Sequence, residues 1–167
     1  MSSPDSHIHS IRNLDAADRT AVANIIEEVG NFNRAEIDCA LELVDIYLSD
    51  PNQKDYQIVV AECKAGDVCG YACWGPTPLT KGTYDLYWIA THPGTQGRGV
   101  GRALMLYVEK QVFKEHGRLL ILETSSKETY GKTVEFYRRL GYEEASRIRD
   151  FYDAGDDKIV FLKRLSQ

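Results

Sequence analysis

The sequence predicts an α/β domain with a mixed central sheet of about seven strands and helices on both of its faces. Segments rich in β-branched and aromatic residues alternate with segments in which apolar residues follow the helical period. The nearly continuous apolar run Leu119–Thr124 is typical of a strand that is covered on both faces. Because 167 residues is an ordinary length for one domain, we assign residues 1–167 to a single domain.

The first half of the chain gives the element order β-α-α-β-β. Asn13 or Asp15 can cap the first helix, and Gly30 can end it. A polar turn at 64–67 joins two β-rich segments into a hairpin. In order, the predicted elements are a strand at 8–11, a helix that runs to about residue 29, a helix at about 35–48, and strands at 56–63 and 68–74.

The second half gives the order β-α-β-α-β-β, with a parallel crossover only around a glycine-rich loop. Gly141 is suitably placed to end the last helix. In order, the predicted elements are a strand at 83–91, a helix to about 116–117, a strand at 119–124, a helix at about 130–140, and strands at 142–149 and 158–163 joined by a turn at 153–157.

The glycine-rich segment Gln96–Gly101 connects the strand at 83–91 to the helix that follows. Such a turn presents free backbone N–H groups and the positive end of a helix dipole to an anion. A dinucleotide fingerprint is excluded because Arg102 and Leu104 stand where its third glycine belongs. A P-loop is excluded because no Lys-Ser/Thr pair follows Gly101. The pattern that fits is Q/R-x-x-G-x-G/A.

A second motif, Phe136–Tyr142, reads F-Y-x-x-x-G-Y. The loop resembles the acetyl-CoA loop of the GNAT superfamily of N-acetyltransferases, and the second motif resembles that superfamily's F-Y-x-x-x-G-F/Y segment. Both motifs occur in the superfamily's order and within its element order, β-α-α-β-β-β-α-β-α-β-β. The resemblance covers Ile8 to Leu165 and implies a GNAT fold, with acetyl-CoA as the acyl donor. It also allows a homodimer.

The resemblance implies a set of donor-binding residues. The loop would hold the diphosphate of acetyl-CoA, chiefly through backbone N–H groups, and its arginines would add charge. Ile89 and Thr91 would lend backbone groups to the pantetheine arm and to the acetyl carbonyl. Tyr130 stands where the superfamily usually has an asparagine that contacts this arm, and Tyr130 or the hydroxyl of Thr133 is a candidate substitute. The loop residues are Gln96, Gly97, Arg98, Gly99, Val100, Gly101 and Arg102.

The resemblance also implies catalytic candidates. Tyr137 matches the tyrosine that protonates the departing thiolate in many members, although a core aromatic is the alternative. A phenol with a pKa of about 10 holds its proton at neutral pH. Asp85 and Glu123 are the candidates for the base that deprotonates the amine, and a chain of water molecules is the third possibility. Strand alternation places residues 85, 87, 89 and 91 on one face, so we expect Asp85 to share a cleft with Thr91.

Charge and composition narrow the partners. Ten acidic and three basic side chains lie in residues 1–50, and the whole chain has a net charge of −5. An acidic chain without a basic stripe is a poor nucleic-acid binder. No apolar run is long enough for a membrane span, the amino terminus has no secretory signal, and a cytoplasmic location is expected. The spacing of the four cysteines does not suggest a metal site.

Three functions remain open from the sequence. The first is acetyl transfer to a primary amine of a small cationic molecule or amino-acid derivative, because in this fold the acidic first two helices border the acceptor side. The second is an acyl-CoA-binding sensor or regulatory module without turnover. The third is acetylation of a protein N-terminus or lysine.

Overall fold

The computed structural model describes residues 8–165, so both ends of the predicted 1–167 domain lie outside the described residues. The strands are β1 (Ile8–Asn13), β2 (Gln57–Cys63), β3 (Val68–Pro76), β4 (Thr83–Thr91), β5 (Leu119–Ser125), β6 (Glu143–Asp153) and β7 (Asp156–Arg164). The helices are α1 (Arg19–Glu28), α2 (Arg34–Ser49), α3 (Val100–Lys114) and α4 (Gly131–Arg139). Short 3₁₀ turns precede α1, α3 and α4, at Ala16–Asp18, Pro93–Thr95 and Glu128–Tyr130.

All seven strands form one sheet in the order β1-β2-β3-β4-β5-β7-β6. The pair β4–β5 is parallel, and every other neighbouring pair is antiparallel. The parallel pair is joined by the crossover through α3, as the sequence predicted. The α/β fold class and the element order are therefore confirmed.

Two hydrophobic cores lie on opposite faces of the sheet. One core packs beneath α3 and α4 and includes Leu104, Val108 and Tyr137. The other packs beneath α1 and α2 and includes Val22 and Val44. We call these two sides of the sheet the α3/α4 face and the α1/α2 face. The helical spacing of apolar residues in each helix accounts for this arrangement, since each helix buries one apolar stripe.

The first helix differs from its prediction at the start. Asp15 does act as a cap, but it caps the 3₁₀ turn Ala16–Asp18, and α1 begins only at Arg19. The Asp18 carboxylate accepts a hydrogen bond from the Asp15 backbone N–H at 2.9 Å and two from the Arg12 guanidinium at 2.7 and 2.9 Å. These contacts fix the chain entering α1 against β1. Gly30 ends the segment with φ at +75°, as expected for a glycine stop.

The strand β5 differs from its prediction in burial. Leu120, Leu122 and Thr124 are buried, but Glu123 between them is exposed. The expectation of a strand covered on both faces was wrong, because α1 and α2 pack on β2, β3 and β4 and leave the α1/α2 face of β5 open. The last hairpin is also longer than predicted, with a tight turn between Asp153 and Asp156.

No helix within residues 8–165 is both long enough and apolar enough to cross a membrane.

Candidate active site

The glycine-rich loop brings the amino terminus of α3 to the end of β4. Gly97 and Gly99 have φ values of +76° and +83°, and a Cβ at either would meet no atom within 4 Å. Their backbone conformation, and not crowding, therefore favours glycine. The first hydrogen bond into α3 runs from the Ala103 N–H to the Gly99 carbonyl at 3.0 Å. The N–H groups of residues 100–102 precede that bond and are available to an anion.

Close packing joins three elements at Gly101. A Cβ added to Gly101 would lie 3.3 Å from the Phe136 ring and 3.7 Å from the methyl group of Thr91. The end of β4, the first turn of α3 and the helix α4 therefore meet at this residue. Two exposed arginines, Arg98 and Arg102, lie on the same loop, and neither has an ion-pair partner among residues 8–165. The structure thus brings the loop residues together with the second sequence motif.

The two parallel strands separate beside this loop. Pairing between β4 and β5 ends at Asp85 and Ile121. Beyond that point β4 stays paired with β3 as far as Thr91, and β5 stays paired with β7 as far as Ser125. The facing edges 86–91 and 122–125 therefore have no strand partner, and we call the space between them the wedge. Backbone groups along these edges are free to pair with an extended ligand.

Thr124 adds a polar group that sequence reasoning missed. Its hydroxyl is buried at the end of β5 and has no hydrogen-bond partner among the described residues. A buried hydroxyl without a partner costs free energy, and its position at the wedge fits a ligand that carries amide groups. No local sequence signal distinguishes this threonine from a core residue.

Tyr137 lies on the α3/α4 face and is 5% exposed. Its ring packs against Phe136, Tyr142 and Phe161 at centroid distances of 5.2, 5.8 and 6.1 Å. Burial raises the pKa of the phenol above its ordinary value, so the hydroxyl keeps its proton at neutral pH. This environment suits a proton donor, and it also suits a core aromatic.

A β-bulge in β4 changes the arrangement expected from strand alternation. Leu86 pairs with Trp74 and Trp88 pairs with Cys73, so Tyr87 is an extra residue without a partner in β3. Leu86 and Ile89 consequently both face the core beneath α3, whereas Trp88 packs with the core beneath α1 and α2. The expectation that residues 85, 87, 89 and 91 share a face was wrong, because one inserted residue reverses the alternation.

The two candidate bases lie together on the α1/α2 face. Asp85 is paired with Ile121, and Glu123 is two residues farther along β5 on the same side. Asp85 accepts a hydrogen bond from the Thr77 hydroxyl at 2.6 Å. Burial raises the pKa of Asp85, and the Glu123 charge raises it further, although the Thr77 hydrogen bond acts against both. Glu123 forms an ion pair with Lys158 at 2.7 Å.

Tyr130 has a partner that the sequence did not indicate. Its hydroxyl donates a hydrogen bond to the Asn31 carbonyl at 2.7 Å. If Tyr130 replaces the asparagine that contacts the pantetheine arm in this superfamily, its hydroxyl is already engaged in a hydrogen bond. The two residues are separated by 99 positions, and no local pattern reveals such a contact.

A model of the acetyltransferase (GNAT) domain matches residues 54–144, which is more than half of the chain. This chain belongs to the GNAT acetyltransferase family. A crystal structure of a protein assigned to the same family, from Desulfovibrio desulfuricans, is 42% identical and superposes with a TM-score of 0.89. That comparison covers 94% of this chain and 99% of the other. The resemblance inferred from the two motifs is confirmed.

Two characterised relatives come from Bacillus subtilis strain 168. An S-alkylcysteine N-acetyltransferase is 29% identical over 118 residues, which cover 67% of this chain and 65% of the relative. An S-(2-succino)cysteine N-acetyltransferase is 25% identical over 69 residues, which cover 41% of this chain and 42% of the relative. In both comparisons the alignment spans less than two thirds of the relative.

Proposed function

We propose that this protein transfers the acetyl group of acetyl-CoA directly to the primary amine of a small molecule, with an amino-acid derivative as the favoured acceptor. The observation that carries the proposal is the wedge between β4 and β5, which opens beside the free N–H groups of α3. Membership in a family of acetyltransferases indicates the class of reaction, and the wedge could accommodate an extended thioester ligand.

The donor would be held by backbone groups more than by side chains. Residues 96–102 would bind the diphosphate at the helix terminus, where the dipole favours negative charge. Ile89 and Thr91, on the open edge of β4, would offer backbone hydrogen bonds to the arm and to the acetyl carbonyl. Thr124, on the facing strand, would satisfy its buried hydroxyl with an amide of the arm.

Acetyl-CoA supplies a thioester, whose carbonyl carbon forms a bond to the amine nitrogen while its bond to sulfur breaks. A carboxylate accepts the first of the two protons that the ammonium nitrogen loses on becoming an amide, and the second leaves to solvent. A backbone N–H on the β4 edge stabilises the negative charge on the carbonyl oxygen. Tyr137 gives its proton to the sulfur that leaves, and its raised pKa ensures that the proton is present. Direct transfer requires no nucleophilic side chain.

Asp85 is the favoured base. It is half-buried and its raised pKa brings it closer to the range in which a carboxylate accepts protons effectively. Glu123 is more exposed, and its carboxylate is already engaged in the ion pair with Lys158. Both carboxylates lie on the α1/α2 face, and Tyr137 lies on the opposite face. The amine would therefore lose its proton on one side of the sheet, and the leaving sulfur would gain its proton on the other.

The acceptor class is inferred from two sources. The named activities of both characterised relatives concern cysteine derivatives that are acetylated on nitrogen. The acidic balance of residues 1–50, which include α1 and α2, would also attract an ammonium group. A small α-amino compound satisfies both sources. Taken alone, the acidic charge favours any small cationic amine.

A thiol-release assay with acetyl-CoA tests the proposal. The panel contains S-methyl-L-cysteine, S-benzyl-L-cysteine, spermidine and a short peptide with an N-terminal alanine. Turnover of the cysteine derivatives supports the proposal, whereas turnover of the peptide alone replaces the acceptor class. Binding of acetyl-CoA in calorimetry without turnover of any amine indicates the sensor function instead.

A further inference from the structure

The hydrogen bond between Tyr130 and Asn31 connects two segments on opposite sides of the wedge. Asn31 lies in the loop 29–33 that joins α1 to α2, on the side of β4. Tyr130 ends the 3₁₀ turn after β5. Since backbone pairing between β4 and β5 stops at Asp85 and Ile121, this bond at 2.7 Å links the two halves of the molecule where the sheet itself does not.

The loop 29–33 is held on the α1/α2 side by Val29 and Phe32, which pack against the core beneath α1 and α2. The Phe32 ring packs edge-on against Trp88, with centroids 5.2 Å apart. Asn33 and Glu36 form a reciprocal capping box that begins α2. Gly30, with φ at +75°, has no side chain that could anchor the segment between Val29 and Asn31. The Tyr130 hydrogen bond therefore restrains the part of the loop between Gly30 and Phe32.

The other end of the bond belongs to the donor side of the site. Tyr130 directly precedes α4, which carries Phe136 and Tyr137. The Phe136 ring lies against Gly101 in the first turn of α3. The path from the loop 29–33 to the diphosphate loop thus consists of one hydrogen bond, one short helix and one ring contact.

The surroundings of the Tyr130 hydroxyl preserve it as a donor. Burial raises the pKa of Tyr130 to about 12, with further contributions from the charges of Glu36 and Asp156 and from Tyr152. These neighbours come from α2, β7 and β6. The phenol therefore remains protonated throughout the physiological range and can hold the Asn31 carbonyl at any pH at which the enzyme would work.

We propose that Tyr130 is a positioning residue that fixes the loop 29–33 as a wall of the acceptor site and so determines which amines fit. This inference rests on the proposed function, because it assigns the acceptor to the α1/α2 face beside Trp88 and Asp85. Tyr130 takes no part in bond making or breaking. It sets the distance between the acceptor wall and the helix that carries the candidate proton donor.

The test compares Tyr130→Phe with the matched control Tyr84→Phe. The first variant keeps the ring and removes only the hydroxyl. The control removes a hydroxyl that bonds to Glu115 at 3.0 Å and that lies at the opposite end of β4 from the glycine loop. Both variants are assayed with acetyl-CoA and with S-methyl-L-cysteine and S-benzyl-L-cysteine, and both are examined by amide hydrogen exchange.

For Tyr130→Phe we expect KM for the cysteine derivative to rise about two- to tenfold, the factor that corresponds to one neutral hydrogen bond. The values of kcat and of KM for acetyl-CoA should change by less than about twofold, because the lost contact acts equally on bound substrate and transition state. The preference between the methyl and benzyl compounds should narrow, and exchange of the amides in 29–33 should accelerate. Tyr84→Phe should change none of these.

An unchanged acceptor KM and an unchanged preference in Tyr130→Phe, with an active wild type, would overturn the inference and leave the proposed function intact. A loss of thermal stability with unchanged KM would also overturn it, since the hydrogen bond would then be structural only. A wild type that turns over no amine in the panel would refute the proposed function, and the inference with it.

Discussion

The surroundings of Tyr137 are those expected of a side chain that donates a proton. Three aromatic rings enclose it, and burial keeps its proton in place. For Tyr137→Phe we expect kcat to fall about 10²- to 10⁴-fold, the usual contribution of a positioned acid, with acetyl-CoA affinity within about twofold of the wild type. Steady-state thiol release and calorimetry measure the two quantities.

Tyr142→Phe is the matched control for that substitution, because Tyr142 packs against Tyr137 but directs its hydroxyl to Glu109 at 3.0 Å. We expect this control to retain the wild-type kcat. If Tyr137→Phe retained it as well, Tyr137 would be a core aromatic and the proton would come from solvent.

Asp85 gives a prediction with a definite pH direction. A base must be ionised to act, so kcat/KM should fall as the pH drops through the pKa of Asp85, which lies above its ordinary value of 3.8. We expect Asp85→Asn to lower kcat by about 10²-fold or more and to remove this acidic limb. A pH–rate profile of both proteins measures the effect. Activity lost in Glu123→Gln but kept in Asp85→Asn would assign the base to Glu123.

Sequence reasoning named most of these residues as candidates but did not indicate their neighbours. The loop glycines and Tyr137 stand in motifs with fixed spacing, and the structure brings their elements together at Gly101. Thr124 and the Asn31 partner of Tyr130 were not foreseeable. A buried hydroxyl without a partner and a contact across 99 positions depend on tertiary packing, which leaves no local pattern in the sequence.

At the scale of elements, the junction of β4, α3 and α4 makes the proposed donor site sensitive to the volume of the side chain at position 101. The Phe136 ring would lie 3.3 Å from a Cβ there, so Gly101→Trp should displace the ring and cover the N–H groups of the first helical turn. We expect calorimetry to show no measurable acetyl-CoA binding. Leu106→Trp, on the exposed side of the same helix, should bind as the wild type does. Equal affinities for the two variants would contradict the assignment of the loop.

A second element-scale prediction concerns the ion-pair network that joins β1, the first 3₁₀ turn and β2. Arg12 contacts Asp18 at 2.7 Å and Glu62 at 2.8 Å. The Arg12 hydrogen bonds hold the pKa of Asp18 below its ordinary value of 3.8. The stabilisation is therefore present above the pKa of the unfolded chain and is lost as the pH falls through the lower folded pKa.

We expect Asp18→Asn to lower the free energy of unfolding by about 1.5–3 kcal/mol at pH 7, the range for hydrogen bonds to a charged group. The difference from the wild type should shrink as the pH falls below about 4. Urea unfolding of both proteins at pH 7 and at a pH below about 4 measures this difference in the free energy of unfolding. Asp38→Asn, which breaks an exposed ion pair with Arg34, should cost less than about 0.5 kcal/mol. An effect of Asp18→Asn that persists unchanged in acid would exclude the charge as its cause.

Element identities followed from the sequence because periodicity and glycine stops are local signals. Every predicted helix and strand within residues 8–165 is present, and β4 has the predicted bounds. The bulge at Tyr87 could not be predicted, since a tyrosine is as suitable for a regular strand as for a bulge. The open face of β5 depends on where α1 and α2 pack, which the strand's own residues do not determine.

For the molecule as a whole, the wedge divides the sheet into two parts that a bound ligand would bridge. If acetyl-CoA binds the folded protein alone, a concentration of 100 times Kd should stabilise it by about 2.7 kcal/mol. For a chain of this length, that corresponds to a rise in Tm of roughly 5–10 °C. Thermal denaturation with and without acetyl-CoA measures the shift. Gly101→Trp should show none, and a wild type without a shift would contradict binding in the wedge.

The bulge at Tyr87 has a consequence for mutational scans of β4. Before it, even-numbered positions such as Leu86 face the core beneath α3, and after it the odd-numbered position Ile89 does so. Along β4, the positions that tolerate only apolar residues should therefore change from even-numbered to odd-numbered at Tyr87. Deleting Tyr87 would make Leu86 and Trp88 consecutive, opposite the consecutive partners Trp74 and Cys73, so Ile89 and Thr91 would keep their present face.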